Sequence, residues 1–298
     1  ACKDHGFFYL VDHGIPTTTL DLVLDLARTF FINGTPEQKE KIKRKTVDEG
    51  GDGARGYQKI GENVTKGAKD WHEAVDFYRE WDRKSTNGHI KGSIKQTDTL
   101  QGPNLWPEQP EELKSVYEKY VESMKEVGTK VVRAMGETLG LEGSEKDMFV
   151  RATRESFWVM RMIGYPPLQS GAEEGVSCGE HTDYGCVTLL LADSTPNALQ
   201  VQLKDGSWLT ANPIPGAFVI NIGDMIERWT NGEWKSTNHR VVHQGSGFRV
   251  SVPFFFEPDF DAIVKPLEAC LTRTGGVRKF EKVKYGEHLL GKIRGNFY

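Results

Sequence analysis

The chain has 298 residues, 38% hydrophobic and 27% charged, enough for the core of one large domain or two smaller ones. A formal net charge of −4 and a pI near 6.1 give no basic field, and no Lys/Arg stripe alternates with aromatics, which argues against a nucleic-acid partner. The longest apolar run, "CVTLLLA" at 186 to 192, has strand length and falls far short of the ~18 residues of a membrane span, so no membrane partner is expected.

Cys2, Cys178, Cys186 and Cys270 form no CxxC pair and no dense disulfide framework, which predicts reduced thiols in a cytoplasmic protein. The chain opens on Ala1 and is strand-patterned from the start, so residues upstream, and a targeting segment among them, are left open. A monomer is expected.

In chain order, "GFFYLVDHGIP" reads as a short strand ending in a turn at Asp12, His13 and Gly14. Thr17 to Thr19 are candidate caps for a helix carrying Leu20, Val23, Leu24, Ala27 and Phe31 on one face. "TPEQKEKIKR" offers Thr35 as N-cap, Pro36 at the first helical position and Gln38 close behind. The stretches "DEGGDGARGY" and, at 83 to 104, "RKSTNGHIKGSIKQTDTLQGPN" read as loops without a phosphate-binding glycine motif. A long helix is predicted over 108 to 140, with Leu113, Val116, Tyr120, Met124, Val127, Val131, Met135 and Leu139 as its apolar stripe.

From about residue 155 the pattern changes to short β-rich runs separated by Gly, Pro and Asn, which predicts an antiparallel sandwich or barrel. The fold class expected is α+β with a mainly β core: residues 1–150 form a helical and strand region packed on a β-domain at 151–298, as one structural unit.

The chemistry concentrates in "CGEHTDYGCVTLLL". If His181 and Asp183 lie in one strand they project from the same face, with Cα atoms roughly 7 Å apart, and could grip one ion. A third ligand is needed, and His239 and His243 in "STNHRVVHQ" are the best candidates. Two histidines and a carboxylate leave coordination positions open, as in non-haem Fe(II) oxygenases, whereas a structural zinc site closes with four protein ligands. Alone, the pair is weak, because a His beside an Asp is more often simply hydrogen-bonded. Downstream, Arg249 and Ser251 share a face of an apolar strand running into Phe254, Phe255 and Phe256, and a guanidinium there calls for an anion such as a carboxylate.

Taken together, "HTD" at 181 to 183, "HRV" at 239 to 241 and "RVS" at 249 to 251 resemble the Fe(II)/2-oxoglutarate-dependent dioxygenases of the isopenicillin N synthase-like class. "GFFYLVDHGI", "DWHEAVDF", "YPP" at 165 to 167, "INIGDMIERWTNGEWKSTNHRVV" and "YGEHL" extend the match over essentially the whole chain. The resemblance implies a double-stranded β-helix (jelly roll) with His181, Asp183 and His239 on Fe(II). It further implies Arg249 and Ser251 on the distal carboxylate of 2-oxoglutarate, with Tyr165 assisting, and O2 as the other cosubstrate. His243 does not match a ligand position and reads as an ordinary strand histidine.

For the substrate, "WHEAVDFY" taken as a strand puts Glu73 on a face with Trp71, Val75 and Phe77, and "SFWVMRMIG" puts Arg161 on a face with Phe157, Val159 and Ile163. Either the two charges pair with each other or sit on a rim, or they bracket a zwitterion, with Arg161 on a carboxylate and Glu73 on a cationic end; Asp76, on the opposite face, is the weaker candidate. "HTDYG", with Tyr184 after the metal carboxylate, together with "KDWHEAVDFYREW", resembles the plant homoarginine 6-hydroxylases and the bacterial ethylene-forming enzyme. That resemblance implies hydroxylation of homoarginine or arginine beside the guanidino nitrogen, giving guanidine, succinate and CO2. The alternatives are a hydroxylase of a plant hormone or specialised metabolite and, outside this class, a non-catalytic binding protein or a metal-dependent hydrolase on the same barrel.

Overall fold

The computed structural model describes residues 1–80, 100, 102–168 and 176–297, so most of the polar stretch expected as a loop at 83 to 104 lies outside the described residues. The N-terminal half supplies strands β1 (Phe7–Leu10), β2 (Gly56–Gln58), β3 (Val64–Thr65), β4 (Ala68–Lys69) and β5 (Glu73–Tyr78). The C-terminal half supplies β6 (Val159–Tyr165), β7 (Cys178–His181), β8 (Val187–Ala192), β9 (Leu199–Gln202), β10 (Trp208–Thr210), β11 (Phe218–Ile222), β12 (His239–Val241) and β13 (Arg249–Phe256). A seven-stranded sheet runs β1-β11-β8-β13-β6-β5-β2 and a four-stranded sheet runs β10-β9-β12-β7, with every pairing antiparallel. This is the expected jelly roll, but three strands of its larger sheet come from residues before 150.

Along β13 the period of two sorts the side chains. Val250, Val252, Phe254 and Phe256 join the core cluster shared with the helices, whereas Arg249 and Ser251 face the space between the sheets. That space is closed by a second apolar cluster of Ile163, Tyr165, Leu199, Val219 and Val241, drawn from both sheets.

The helices cover the outer face of the larger sheet. Helix α1 (Thr17–Asn33) buries Leu20, Val23, Leu24, Ala27, Phe30 and Phe31, but it starts at Thr17 behind Pro16 and no side chain caps it, contrary to the role expected of Thr17 to Thr19. Helix α2 (Pro36–Lys41) carries the predicted signal as a full capping box, with Thr35 and Gln38 each bonding the other's backbone N–H. Helix α3 (Leu113–Thr138) is shorter than 108 to 140. Pro107 and Pro110 hold back its start, and Gly140, at φ 60°, stops it in the left-handed conformation that closes helices.

Helix α3 meets the sheet at Gly128, where an added Cβ would lie 2.5 Å from the Phe256 ring. Phe256 is buried and cannot yield, so Gly128→Ala is expected to destabilise the fold. Overpacking costs about 1–3 kcal/mol, and the helix propensity of alanine offsets about 1 kcal/mol of it. A fall in thermal midpoint measures this, and an unchanged midpoint would show that helix and sheet separate freely.

The remaining helices α4 (Met148–Ala152), α5 (Asp224–Trp229), α6 (Glu268–Arg273) and α7 (Tyr285–Phe297), with the strand pair β14 (Ile263–Val264) and β15 (Val283–Lys284), complete the description. All four cysteines are free, as expected. Among the described residues no helix is long and apolar enough to cross a membrane.

Candidate metal centre and the adjoining cavity

His181 ends β7 and His239 begins β12, and the two are direct partners in the ladder of the smaller sheet. Asp183 is not in a strand, contrary to the one-strand geometry expected for the pair: β7 stops at His181, and Asp183 lies in the connection that crosses to β8 in the larger sheet. The triad therefore sits at the corner where the chain changes sheets. Asp183 Oδ1 is 3.8 Å from His181 Nε2 and 3.7 Å from His239 Nε2, and the three ligand atoms all lie within 4.8 Å of one another.

The surroundings aim these atoms. His181 Nδ1 bonds the Gly179 carbonyl at 2.7 Å and His239 Nδ1 bonds the Thr237 carbonyl at 3.2 Å, which fixes the ring protons on Nδ1 and leaves both Nε2 lone pairs for an ion. Thr188 and Asn221, directly paired across β8 and β11, both donate to Asp183 Oδ2, Asn221 at 2.5 Å, leaving Oδ1 free. Burial raises the Asp183 carboxyl, but the two histidines and then these two donors more than offset it, so the group titrates below its ordinary range. Phe7, from the N-terminal strand, packs edge-on against the His239 ring at 5.3 Å.

Asn221→Leu leaves Oδ2 with one donor and loosens the carboxylate. Metal affinity is expected to fall about 10- to 100-fold, read by Fe(II) or Co(II) titration; unchanged affinity would show that Thr188 alone orients the ligand.

Arg249 is 2% exposed, and neither its Nε nor its Nη1 has a hydrogen-bond partner among the described residues. It opens β13 opposite Tyr165 of β6, and its guanidinium lies 4.6 Å from the centre of the Tyr165 ring. Tyr165 and Ser251 bond each other through their side chains. A buried guanidinium with unmet donors is costly on its own, and an anion bound beside it would offset that cost.

A model of the 2OG-Fe(II) oxygenase superfamily matches residues 154–258, and one of the non-haem dioxygenase N-terminal region, named for morphine synthesis, matches residues 1–109. A homoarginine-6-hydroxylase of Glycine max is 43% identical over 302 residues, covering 100% of this chain and 87% of the relative. A homoarginine-6-hydroxylase of Arabidopsis thaliana is likewise 43% identical over 304 residues, with the same coverage. Among solved structures, a full-length Neurospora crassa protein in complex with alpha-KG and thymine superposes with a TM-score of 0.82 at 27% identity, covering 99% of this chain and 88% of that one. JOX2 in complex with 2OG, Fe and JA superposes with a TM-score of 0.81 at 28% identity, covering 100% and 80%.

The chain belongs to the Fe(II)/2-oxoglutarate-dependent oxygenases. Its triad fits a divalent iron held on one side by two imidazoles and a carboxylate, and the buried guanidinium of Arg249 has the charge that one carboxylate of 2-oxoglutarate would require.

Beside the triad in this oxygenase opens a cavity of about 360 Å³, lined by His181, Asp183 and Tyr184 and by the inner faces of β5 and β6. Arg161 lines it. Glu73 does not: it is 6% exposed, accepts from Lys39 Nζ at 2.9 Å and from the Tyr57 hydroxyl at 2.7 Å, and pairs in register with Gly164. A Cβ at Gly164 would strike Phe31 and Phe248, which places that register on the outer, helix-covered face of the sheet. Asp76, judged the weaker candidate, is the residue directly opposite Arg161, and its Oδ1 accepts from Arg161 Nε at 2.6 Å. The sequence set the parity of each strand correctly, but the register between strands decides which faces coincide.

Several lining residues were not singled out from sequence. Asn63 bonds Arg161 Nη2 at 3.2 Å, and His72, Asp70 and Glu257 also face the cavity. Asp70, His72 and Cys178 form a second cluster of metal-type ligands, although both Asp70 oxygens already accept hydrogen bonds, from Thr65 and the Gly179 amide. Glu257 follows the phenylalanine run of β13 on the inner parity, the one signal that pointed to it. Burial, above all, pushes its carboxyl up to about 8. His243 bonds Gly247, outside the triad, in keeping with an ordinary structural histidine.

Proposed function

We propose that the protein hydroxylates a guanidino amino acid, homoarginine or arginine, at the carbon bearing the guanidino nitrogen, so that guanidine is released. The observation that carries the reading is a single guanidinium, Arg161, among buried carboxylates in the cavity that opens on the metal triad. The whole-chain similarity to proteins named homoarginine-6-hydroxylases supports it. Bound Fe(II) with 2-oxoglutarate and O2 supplies C–H hydroxylation coupled to oxidative decarboxylation, yielding succinate and CO2.

The chain's own residues provide binding and orientation. Asp76 holds Arg161 through Nε and Asn63 holds it through Nη2, while Nη1 makes no hydrogen bond among the described residues and is offered to a substrate carboxylate. At the other end, Glu257 accepts from the Cys186 amide at 2.8 Å and from the Tyr285 hydroxyl, and it has no ion pair among the described residues. It bonds the connection bearing Asp183 at the Cys186 amide, so a guanidinium there would be held on the triad's side of the cavity. This assignment replaces Glu73 as the partner of the cationic end. Tyr184 and the side chains of α7, Tyr285, Leu289 and Lys292, wall the same space and limit entry of water.

The test is succinate and guanidine release across a substrate panel. Homoarginine or arginine is expected to stimulate both products together. Succinate release driven by an apolar acid and indifferent to either guanidino compound would sink the reading in favour of a hormone or specialised metabolite.

A further inference from the structure

His72 lies just before β5 and is 1% exposed. Its Nδ1 meets the Ser177 carbonyl at 2.7 Å, which can only accept, so the ring proton sits on Nδ1. Its Nε2 is buried and has no hydrogen-bond partner among the described residues, yet the residue lines the cavity beside Asp70, Asp76 and Arg161. Burial first, and then the Arg161 charge, push the imidazole down to about 3, so it remains neutral and Nε2 remains an acceptor. That atom requires a donor.

The neighbouring acceptors are already engaged. Asp70 Oδ2 and Oδ1 accept from Thr65 Oγ1 and the Gly179 amide, and Asp76 Oδ1 and Oδ2 accept from Arg161 Nε and Gln58 Nε2. A bound 2-oxoglutarate carboxylate offers no N–H or O–H to a neutral Nε2. An amino acid whose carboxylate sits on Arg161 carries its ammonium group one carbon away, and that group is a donor of the required kind.

We propose that His72 Nε2 receives an N–H of the substrate's α-ammonium group, making His72 the residue that selects α-amino acids over the matching desamino acids. The proposal rests on the guanidino reading above and adds the chemistry at the far end of that substrate. A site built to bond an N–H rejects the analogue lacking it, because the buried acceptor is then left unpaired.

The experiment compares homoarginine with 6-guanidinohexanoate, which differs only in lacking the α-amino group, in the wild type, His72→Leu and His72→Gln. The wild type is expected to favour homoarginine in kcat/KM by about 100-fold. His72→Leu is expected to lower kcat/KM for homoarginine about 10- to 100-fold, mainly through KM, and to leave the desamino acid within a few-fold, as for one lost bond to a charged donor. His72→Gln, which restores an acceptor, is expected to recover part of the preference. Equal losses on both compounds in His72→Leu, or a wild type without preference, would overturn the role of His72 and leave the guanidino reading standing. A wild type that turns over neither compound, nor arginine, overturns that reading and this role with it.

Discussion

Asp183→Ala is expected to reduce substrate-driven succinate release about a thousandfold or more, equivalent to ~4 kcal/mol of transition-state stabilisation. Asp183 is the anionic ligand of the triad and the one that ties the two sheets' contributions together, since His181 and His239 are already partners in the smaller sheet. Without it, two neutral imidazoles hold a divalent ion with no charge compensation, and the donors on Thr188 and Asn221 lose their acceptor. The check is Fe(II) titration followed by turnover, with a thermal melt to confirm that the sheets still assemble. Turnover within tenfold of the wild type would place the metal elsewhere.

Arg249→Leu is expected to have the second largest effect and to separate two binding events. Loss of the buried guanidinium should weaken 2-oxoglutarate by about 2–5 kcal/mol, which is roughly 30-fold to several thousandfold in Kd. Iron affinity should stay within a few-fold, because among the described residues the hydrogen bonds and ion pairs of the triad do not involve Arg249. The same substitution removes a buried cation whose Nε and Nη1 have no partner among the described residues, so the protein without cosubstrate is expected to melt higher than the wild type, not lower. Added 2-oxoglutarate should then raise the melting midpoint of the wild type but hardly that of the variant. An unchanged cosubstrate affinity would show that the anchor lies elsewhere.

These expectations differ in how far each could be read along the chain. Arg249 and Ser251 stand two apart in an apolar run, and period-two geometry alone aims them together, into the space between the sheets. The Thr35 capping box was equally local, because its partners lie within one helical turn. His181 and Asp183 were correctly grouped for the wrong reason: a shared strand face was assumed, whereas the chain leaves the strand between them and turns into the other sheet.

What the residues by themselves determined is the chemistry on offer and its local direction: the HTD, HRV and RVS segments, the side of each strand on which a side chain projects, and the antiparallel sandwich or barrel implied by many short strands. The tertiary structure decided which of those directions coincide. Arg161 stands opposite Asp76 because β5 and β6 pair in one particular register, and a shift of one residue would have put Glu73 instead of Asp76 on the face of Arg161. His72 drew no notice in sequence, since an imidazole before a strand looks like any other. Only the folded chain shows that Ser177 fixes one of its nitrogens while the other is buried without a donor among the described residues, in a side chain that lines the cavity. Register and hydrogen-bond satisfaction depend on residues distant in sequence, and local patterning carries no information about them.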